Sequence, residues 1–111
     1  MAVVLIKDKV SSEDLKIAQE EYGKYIKVDI DIKTGLMTIG GEWHADGEKV
    51  LLDNESKQDD IWGGGINLAD NSIDYNSMIN IKPDQDNNSQ EILDKETRGE
   101  FARILQDKFG L

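Results

Sequence analysis

Hydrophobic and polar residues alternate most regularly between positions 26 and 32. The apolar members of this segment are Ile26, Val28, Ile30 and Ile32, and the polar members are Lys27, Asp29 and Asp31. A period of two predicts a β-strand with one side buried and the other facing solvent. Lys33-Thr34-Gly35 then supplies a turn and residues 36–39 return, so the two segments should form an antiparallel hairpin.

The segment after position 10 has the end signals and the period of a helix. Ser11 and Asp14 fit the N-terminal pattern in which each side chain accepts a hydrogen bond from a free backbone amide. The apolar residues that follow at helical spacing are Leu15, Ala18 and Tyr22. We therefore predict a helix from about Ser12 to Tyr22, ending at Gly23, which can adopt the positive φ that follows many helices.

The two ends of the chain predict one more helix and one more strand. Asp94 can cap a C-terminal helix that Gly110 stops. The apolar face of that helix is formed by Phe101, Ile104, Leu105 and Phe109. Residues 3–6 are apolar and partly β-branched, which favours a buried strand. This strand can leave a sheet edge open to pairing, so the sequence does not define the oligomeric state.

The middle of the chain has weaker patterns. Residues 42–45 could extend the sheet, and residues 61–68 predict a strand broken by Gly63-Gly64-Gly65. Residues 73–81 suggest one or two further strands, which Pro83 closes because proline cannot donate to a strand ladder. The elements together predict an α+β fold with a mainly antiparallel sheet. We expect two layers, with the N-terminal and C-terminal helices packed on one face of the sheet.

Composition narrows the class of protein. The 111 residues leave room for a single domain, spanning 1–111. The net charge of −10 is concentrated in residues 42–94, which carry thirteen acidic and three basic residues. Such a charge argues against nucleic acid and anionic membranes as partners. The chain has no cysteine and no apolar run of membrane-spanning length, which favours a cytoplasmic protein. We expect no cofactor.

His44 is the only histidine, and it lies between two acidic residues, Glu42 and Asp46. In an extended segment all three side chains would point to the same side, where a carboxylate could fix the imidazole tautomer for acid–base work. Solvated polar groups at a strand end are the simpler interpretation. Asn67 and Asn80 flank strand-like runs, where asparagine is disfavoured, so they either brace the glycine-rich segment or line a cleft. The candidate cleft set is Glu42, His44, Asp46, Trp62, Asn67 and Asn80.

A second pattern concerns calcium. Asp84, Asp86 and Asn88 match the first three ligand positions of a calcium-binding loop. The match then fails, because Ser89 stands where a glycine makes the sharp turn and Lys95 stands where a glutamate closes the site. We therefore predict no metal site, with these three residues as a weak alternative.

Two motifs connect the chain to a known family. His44-Ala45-Asp46 and the segment 77–83, which reads S-M-I-N-I-K-P, resemble a small prokaryotic family of uncharacterised proteins classed as a domain of unknown function. The likeness covers nearly the whole chain. It implies a class of protein and no particular chemistry.

Three functions are compatible with these patterns. We rank first a small cytosolic binding or interaction domain with an acidic face formed by residues 42–94, whose partner is an unknown protein or small molecule. The second is a small hydrolase-like enzyme that uses His44 with Glu42 or Asp46. The third is a domain that binds Ca²⁺ or Mg²⁺ through its carboxylates.

Overall fold

In the computed structural model, which describes residues 2–19 and 24–111, a sheet of five antiparallel strands forms the centre of the described chain. The strands are β1 (Val3–Ile6), β2 (Tyr25–Asp31), β3 (Met37–Gly40), β4 (Ile61–Asn67) and β5 (Ser72–Asp74), and the α-helices are α1 (Ser12–Ala18), α2 (His44–Asp53) and α3 (Lys95–Phe109). The strand order is β1-β3-β2-β4-β5. The predicted α+β class is confirmed.

The predicted hairpin is present as β2 and β3. Val28 pairs with Ile39 and Ile30 pairs with Met37. On the other side of β2, Ile30 pairs with Trp62 of β4. These buried side chains belong to one hydrophobic cluster, which also contains Ala18 of α1 and Phe101, Ile104 and Leu105 of α3. The apolar face of the hairpin therefore forms the main core.

The polar face of β2 is not exposed, and the prediction that Asp29 and Asp31 face solvent is wrong. Both aspartates are buried, as is Thr38 of β3. The cover on this side includes α2, whose Gly47 lies directly against Asp29 and Thr38. Sequence patterns predicted no helix here, and the expected strand extension over residues 42–45 is replaced by the N-terminus of α2.

The predicted starts of α1 and α3 and the predicted end of α3 agree with the structure, whereas α1 ends earlier than predicted. The Ser11 side chain accepts from Asp14 N–H while the Asp14 side chain accepts from Ser11 N–H. Helix α1 ends at Ala18 with Gln19 as its C-terminal cap. The predicted continuation over 20–22 and the stop at Gly23 lie outside the described residues. Asp94 caps α3, and Gly110 ends it with a φ of +73°.

The middle of the chain differs from the prediction in two places. Strand β4 runs unbroken through Gly63-Gly64-Gly65. The absence of side chains at these glycines lets neighbouring groups approach the backbone of the strand closely. Of the strands expected over residues 73–81, β5 is short, and Met78–Asn80 forms a 3₁₀ turn. Further 3₁₀ turns lie at Gln58–Asp60 and Pro83–Gln85.

Candidate functional site

The most unusual polar contact of the described chain joins α2 to the centre of the sheet. His44 Nδ1 lies 2.7 Å from Asp29 Oδ1. The Asp29 side chain is only 2% exposed, whereas that of His44 is 14% exposed. Burying a carboxylate is costly unless a partner satisfies it. The short distance to His44 therefore defines a paired, partly accessible imidazole.

The sequence places His44 at the first position of α2. Trp43 precedes it with extended backbone angles, φ −127° and ψ 148°, and Trp43 N–H donates to the side chain of Asp46 over 3.1 Å. Many helices satisfy a free amide at their N-terminus in this way, through a hydrogen bond to the side chain of the third helical residue. Asp46 thus fixes the start of the helix, and the helix start fixes His44 above β2.

Two glycines make room for the buried carboxylate. A Cβ on Gly47 would overlap Asp29 Oδ2 and lie 2.5 Å from Thr38 Oγ1. A Cβ on Gly63 would lie 2.9 Å from Asp29 Oδ1 and 2.7 Å from the Cβ of Ser77. Asp29 is therefore enclosed between α2 and β4. Any side chain at position 47 or 63 would come too close to it, so both positions require glycine.

One buried group beside Asp29 has no hydrogen-bond partner within the described part of the chain. Thr38 stands directly opposite Asp29 in the β2–β3 register, and its Oγ1 makes no hydrogen bond with any described residue. A buried polar atom without a partner costs about 1–3 kcal/mol. The neighbourhood of Asp29 therefore carries polar groups that packing alone would not require.

Burial dominates the titration of Asp29 and raises the pKa of its carboxyl to about 6. The hydrogen bond and the charge of His44 act in the opposite direction, and so does the charge of Lys27. Glu48 raises the pKa further because its charge repels the ionised form. The carboxyl thus changes its protonation state close to neutral pH, in contact with an imidazole.

The imidazole opens onto a groove of about 410 Å³, which we call the His44 groove. It is bounded by residues 43–45 at the start of α2 and by residues 76–79, with Lys27 and Gln90 completing its walls. Among these described residues there is no acidic side chain, although the chain as a whole carries 23. The groove therefore combines a cation, an imidazole and amides with apolar walls.

Two large apolar side chains at this groove are open to solvent. Trp43 is 64% exposed and Met78 is 73% exposed. Exposed aromatic and methionine side chains beside polar groups are typical of ligand and partner sites. The groove therefore places exposed apolar surface beside polar groups.

The structure brings few of the residues predicted from sequence to this groove. Glu42 is exposed and Asp46 caps α2, so neither is the carboxylate paired with His44. Trp62 is buried in the core, with the Lys82 ammonium 5.0 Å above its ring. Asn67 accepts a hydrogen bond from Ala69 N–H in the turn after β4.

Asn80 acts as a brace for the glycine-rich strand. It is fully buried, and its Oδ1 accepts from Gly63 N–H while its Nδ2 donates to Gly63 O, each over 2.8 Å. Nδ2 also donates to the carbonyls of Tyr75 and Gln90. The side chain thus holds β4 to the segment that forms one wall of the His44 groove.

Asp84, Asp86 and Asn88 are exposed; Asp84 lies in the 3₁₀ turn Pro83–Gln85 and the other two follow it. Within residues 2–19 and 24–111, no three His, Cys, Asp or Glu side chains are grouped so that they could hold a metal ion. The described residues also contain no helix long and apolar enough to cross a membrane.

Asp29 is the site residue that sequence reasoning missed. It was assigned to the solvent-facing side of an alternating strand. The alternation does not indicate whether a helix covers that side. The available signal was the glycine content of the neighbouring segments, since Gly47 and Gly63 are where another group approaches the backbone closely.

The fold and this site define a small α+β domain with a histidine–aspartate pair at a groove. A family model for a protein of unknown function, DUF5674, matches residues 4–108, and the chain belongs to that family. No curated protein and no solved structure matches the chain.

Proposed function

We propose that the chain is a small cytosolic binding domain that holds a small molecule in the His44 groove. The observation that carries this proposal is the exposure of Trp43 and Met78 in the groove that also contains His44, a histidine fixed by a buried aspartate. Binding sites commonly combine apolar walls with a few fixed polar groups. A composition without cysteine fits a reducing compartment.

The lining of the groove supports a neutral or acidic ligand with an apolar part. Lys27 and His44 line it, and none of the described lining residues is acidic. A cationic ligand would find no carboxylate among the described residues that line the groove. The apolar part of the ligand would pack on Trp43, whose large ring offers contact area with little loss of side-chain freedom.

Butyranilide is a suitable probe, because it is neutral and carries an aromatic ring, an amide and a propyl chain. In amide-proton NMR titrations of the isotope-labelled chain, we expect shifts at residues 43–45 and 76–79. Trp43→Ala should weaken binding about tenfold, since an aromatic contact is worth about 1 kcal/mol beyond its buried area.

The matched control is Leu93→Ala, which shortens another exposed apolar side chain that does not line the groove. It should leave the affinity unchanged. Shifts spread over the surface, or equal weakening by both variants, would show non-specific adsorption and refute the proposed site.

A further inference from the structure

We propose that the His44 groove is catalytic, with His44 as the general base for hydrolysis of small carboxylic esters and Asp29 as its positioning residue. This inference rests on the proposed function, because the ester has to bind in the same groove. It assigns an activity to the groove and a separate role to each member of the pair.

The pairing determines which nitrogen is available. Asp29 Oδ1 is an acceptor 2.7 Å from His44 Nδ1, so the neutral imidazole carries its proton on Nδ1. The lone pair is then on Nε2, at the opposite side of a ring that lines the groove. A histidine held in this tautomer by a carboxylate is one of the arrangements that general-base catalysis uses.

The surroundings of Asp29 argue against a purely structural contact. Replacing a buried ion pair with well-packed apolar residues is often neutral or stabilising. Here Gly47 and Gly63 both lie so close to Asp29 that neither could carry a side chain in the present packing. An apolar residue at position 29 could have joined α2 to the sheet without this carboxylate. The pair is better explained by what it does to His44.

The reaction balances with water as the only co-reactant. His44 Nε2 takes a proton from water as the water oxygen forms a bond to the ester carbonyl carbon. The tetrahedral intermediate then breaks its bond to the alcohol oxygen, and the proton on Nε2 passes to that oxygen. The products are a carboxylic acid and an alcohol, and His44 returns to its starting state.

Other groove residues suit the charge that develops. The carbonyl oxygen becomes negative in the intermediate, and the side-chain amides of Asn76 and Gln90 in the groove wall carry hydrogen-bond donors. Trp43 and Met78 provide the apolar surface for the acyl or alcohol part.

Ser77 is the alternative nucleophile beside the groove, but it already has a structural task. Its hydroxyl accepts from Ile79 N–H over 3.3 Å and caps the turn Met78–Asn80. We therefore assign the attack to water.

The test uses the full chain and p-nitrophenyl butyrate, with release of nitrophenolate as the readout. The variants are His44→Gln and Asp29→Asn, and Gln106→Ala on the exposed side of α3 is the control. We expect saturable hydrolysis that butyranilide inhibits competitively. His44→Gln should lower kcat/KM by about 100-fold to 10,000-fold, the usual contribution of a general base.

Asp29→Asn separates positioning from simple reactivity, because it keeps the imidazole and nearly keeps the side-chain shape. We expect a lower kcat with little change in KM and an altered pH profile. After subtraction of the hydrolysis that imidazole causes without protein, added imidazole should restore activity to a third variant, His44→Ala, and not to Asp29→Asn. Amide-proton spectra of each variant establish that it is folded.

Two results would overturn the inference. One is wild-type hydrolysis no faster than that of His44→Gln, and the other is an Asp29→Asn variant with the wild-type kcat. If butyranilide still shifts the groove residues in either case, the binding proposal stands and only the catalytic assignment fails. If butyranilide causes no such shifts, the proposed function fails as well.

Discussion

At the scale of single residues, the environment of Asp29 shows how a side chain can be placed against its solvation preference. An isolated buried carboxylate is strongly disfavoured, and one hydrogen bond from His44 compensates only in part, since burial still raises the pKa of Asp29 to about 6. The neighbouring Thr38 hydroxyl makes no hydrogen bond with any residue that the structure describes. Sites that depart from the rules of stable packing are where function is concentrated.

Asn80 represents the opposite case, a buried polar residue whose groups all have partners. Its removal in Asn80→Ala breaks four hydrogen bonds and leaves buried backbone groups of β4 unsatisfied. We expect the free energy of unfolding to fall by about 3 kcal/mol or more, at about 1 kcal/mol for each bond and more where a buried group is orphaned. Urea unfolding measures this change.

Asn67→Ala is the control for this prediction, because Asn67 is half-buried and its side chain accepts one bond from Ala69 N–H. Its loss should cost less than about 1.5 kcal/mol. Equal losses for the two variants would mean that Asn80 does not brace the strand.

At the scale of elements, α2 decides the character of the site, and it is the helix that sequence patterns did not indicate. Its N-terminal cap is Trp43, a residue without the short polar side chain that usually marks a helix start. It also contains Gly47, which is unfavourable in a helix interior. By contrast, Ser11 and Asp94 are the N-terminal caps of α1 and α3, and the predicted starts of these helices are confirmed.

Replacing a glycine by alanine should have opposite effects on stability in α2 and in α3. Alanine is favoured over glycine inside a helix by about 1 kcal/mol. In Gly47→Ala, however, the new methyl group would overlap Asp29 Oδ2 and crowd Thr38. Overpacking of this kind costs about 1–3 kcal/mol, so we expect a net loss of stability and a disturbed His44 resonance in NMR spectra.

Gly99→Ala in α3 is the counterpart, since a Cβ there meets nothing within 4 Å. It should raise the free energy of unfolding by about 1 kcal/mol. A Gly47→Ala variant as stable as Gly99→Ala would mean that α2 is not pressed against the sheet at this point.

At the scale of the whole molecule, charge placement explains part of the acidic middle segment. Lys82 is buried, its Nζ donates to Gln58 O and Ile79 O, and burial lowers its pKa. The carboxylates of Glu48 and Asp59 act against this shift by attracting the ammonium. Some of the acidity of residues 42–94 therefore serves an internal cation, in addition to any partner.

The sequence could predict elements whose signals are local. The hairpin could be predicted from the alternation over residues 26–32, and the helix starts from the caps Ser11 and Asp94. Each of these signals depends only on residues within its own segment. The His44–Asp29 pair joins residues fifteen positions apart through tertiary packing. A local pattern offers His44 its sequence neighbours Glu42 and Asp46, and only the fold shows that α2 turns the imidazole toward β2.

The burial of the Asp29 carboxyl should be detectable in how the free energy of unfolding depends on pH. Because the pKa of Asp29 rises from 3.8 to about 6 on folding, the folded chain holds this proton to a higher pH than the unfolded chain does. Between about pH 4 and pH 6 the folded state binds more protons, so the contribution of Asp29 to stability falls as pH rises.

Asp29→Asn removes this effect and leaves the other carboxyls in place. Several of these, including Asp31, have lowered pKa values. Their contribution to the free energy of unfolding changes in the opposite direction, because it decreases as pH falls. Their contributions cancel when variant and wild type are compared. We therefore expect Asp29→Asn to gain up to about 3 kcal/mol relative to wild type between pH 4 and pH 7, measured by urea unfolding at each pH. A constant difference would mean that Asp29 titrates normally, and that the sheet and α2 do not exclude water from its carboxylate.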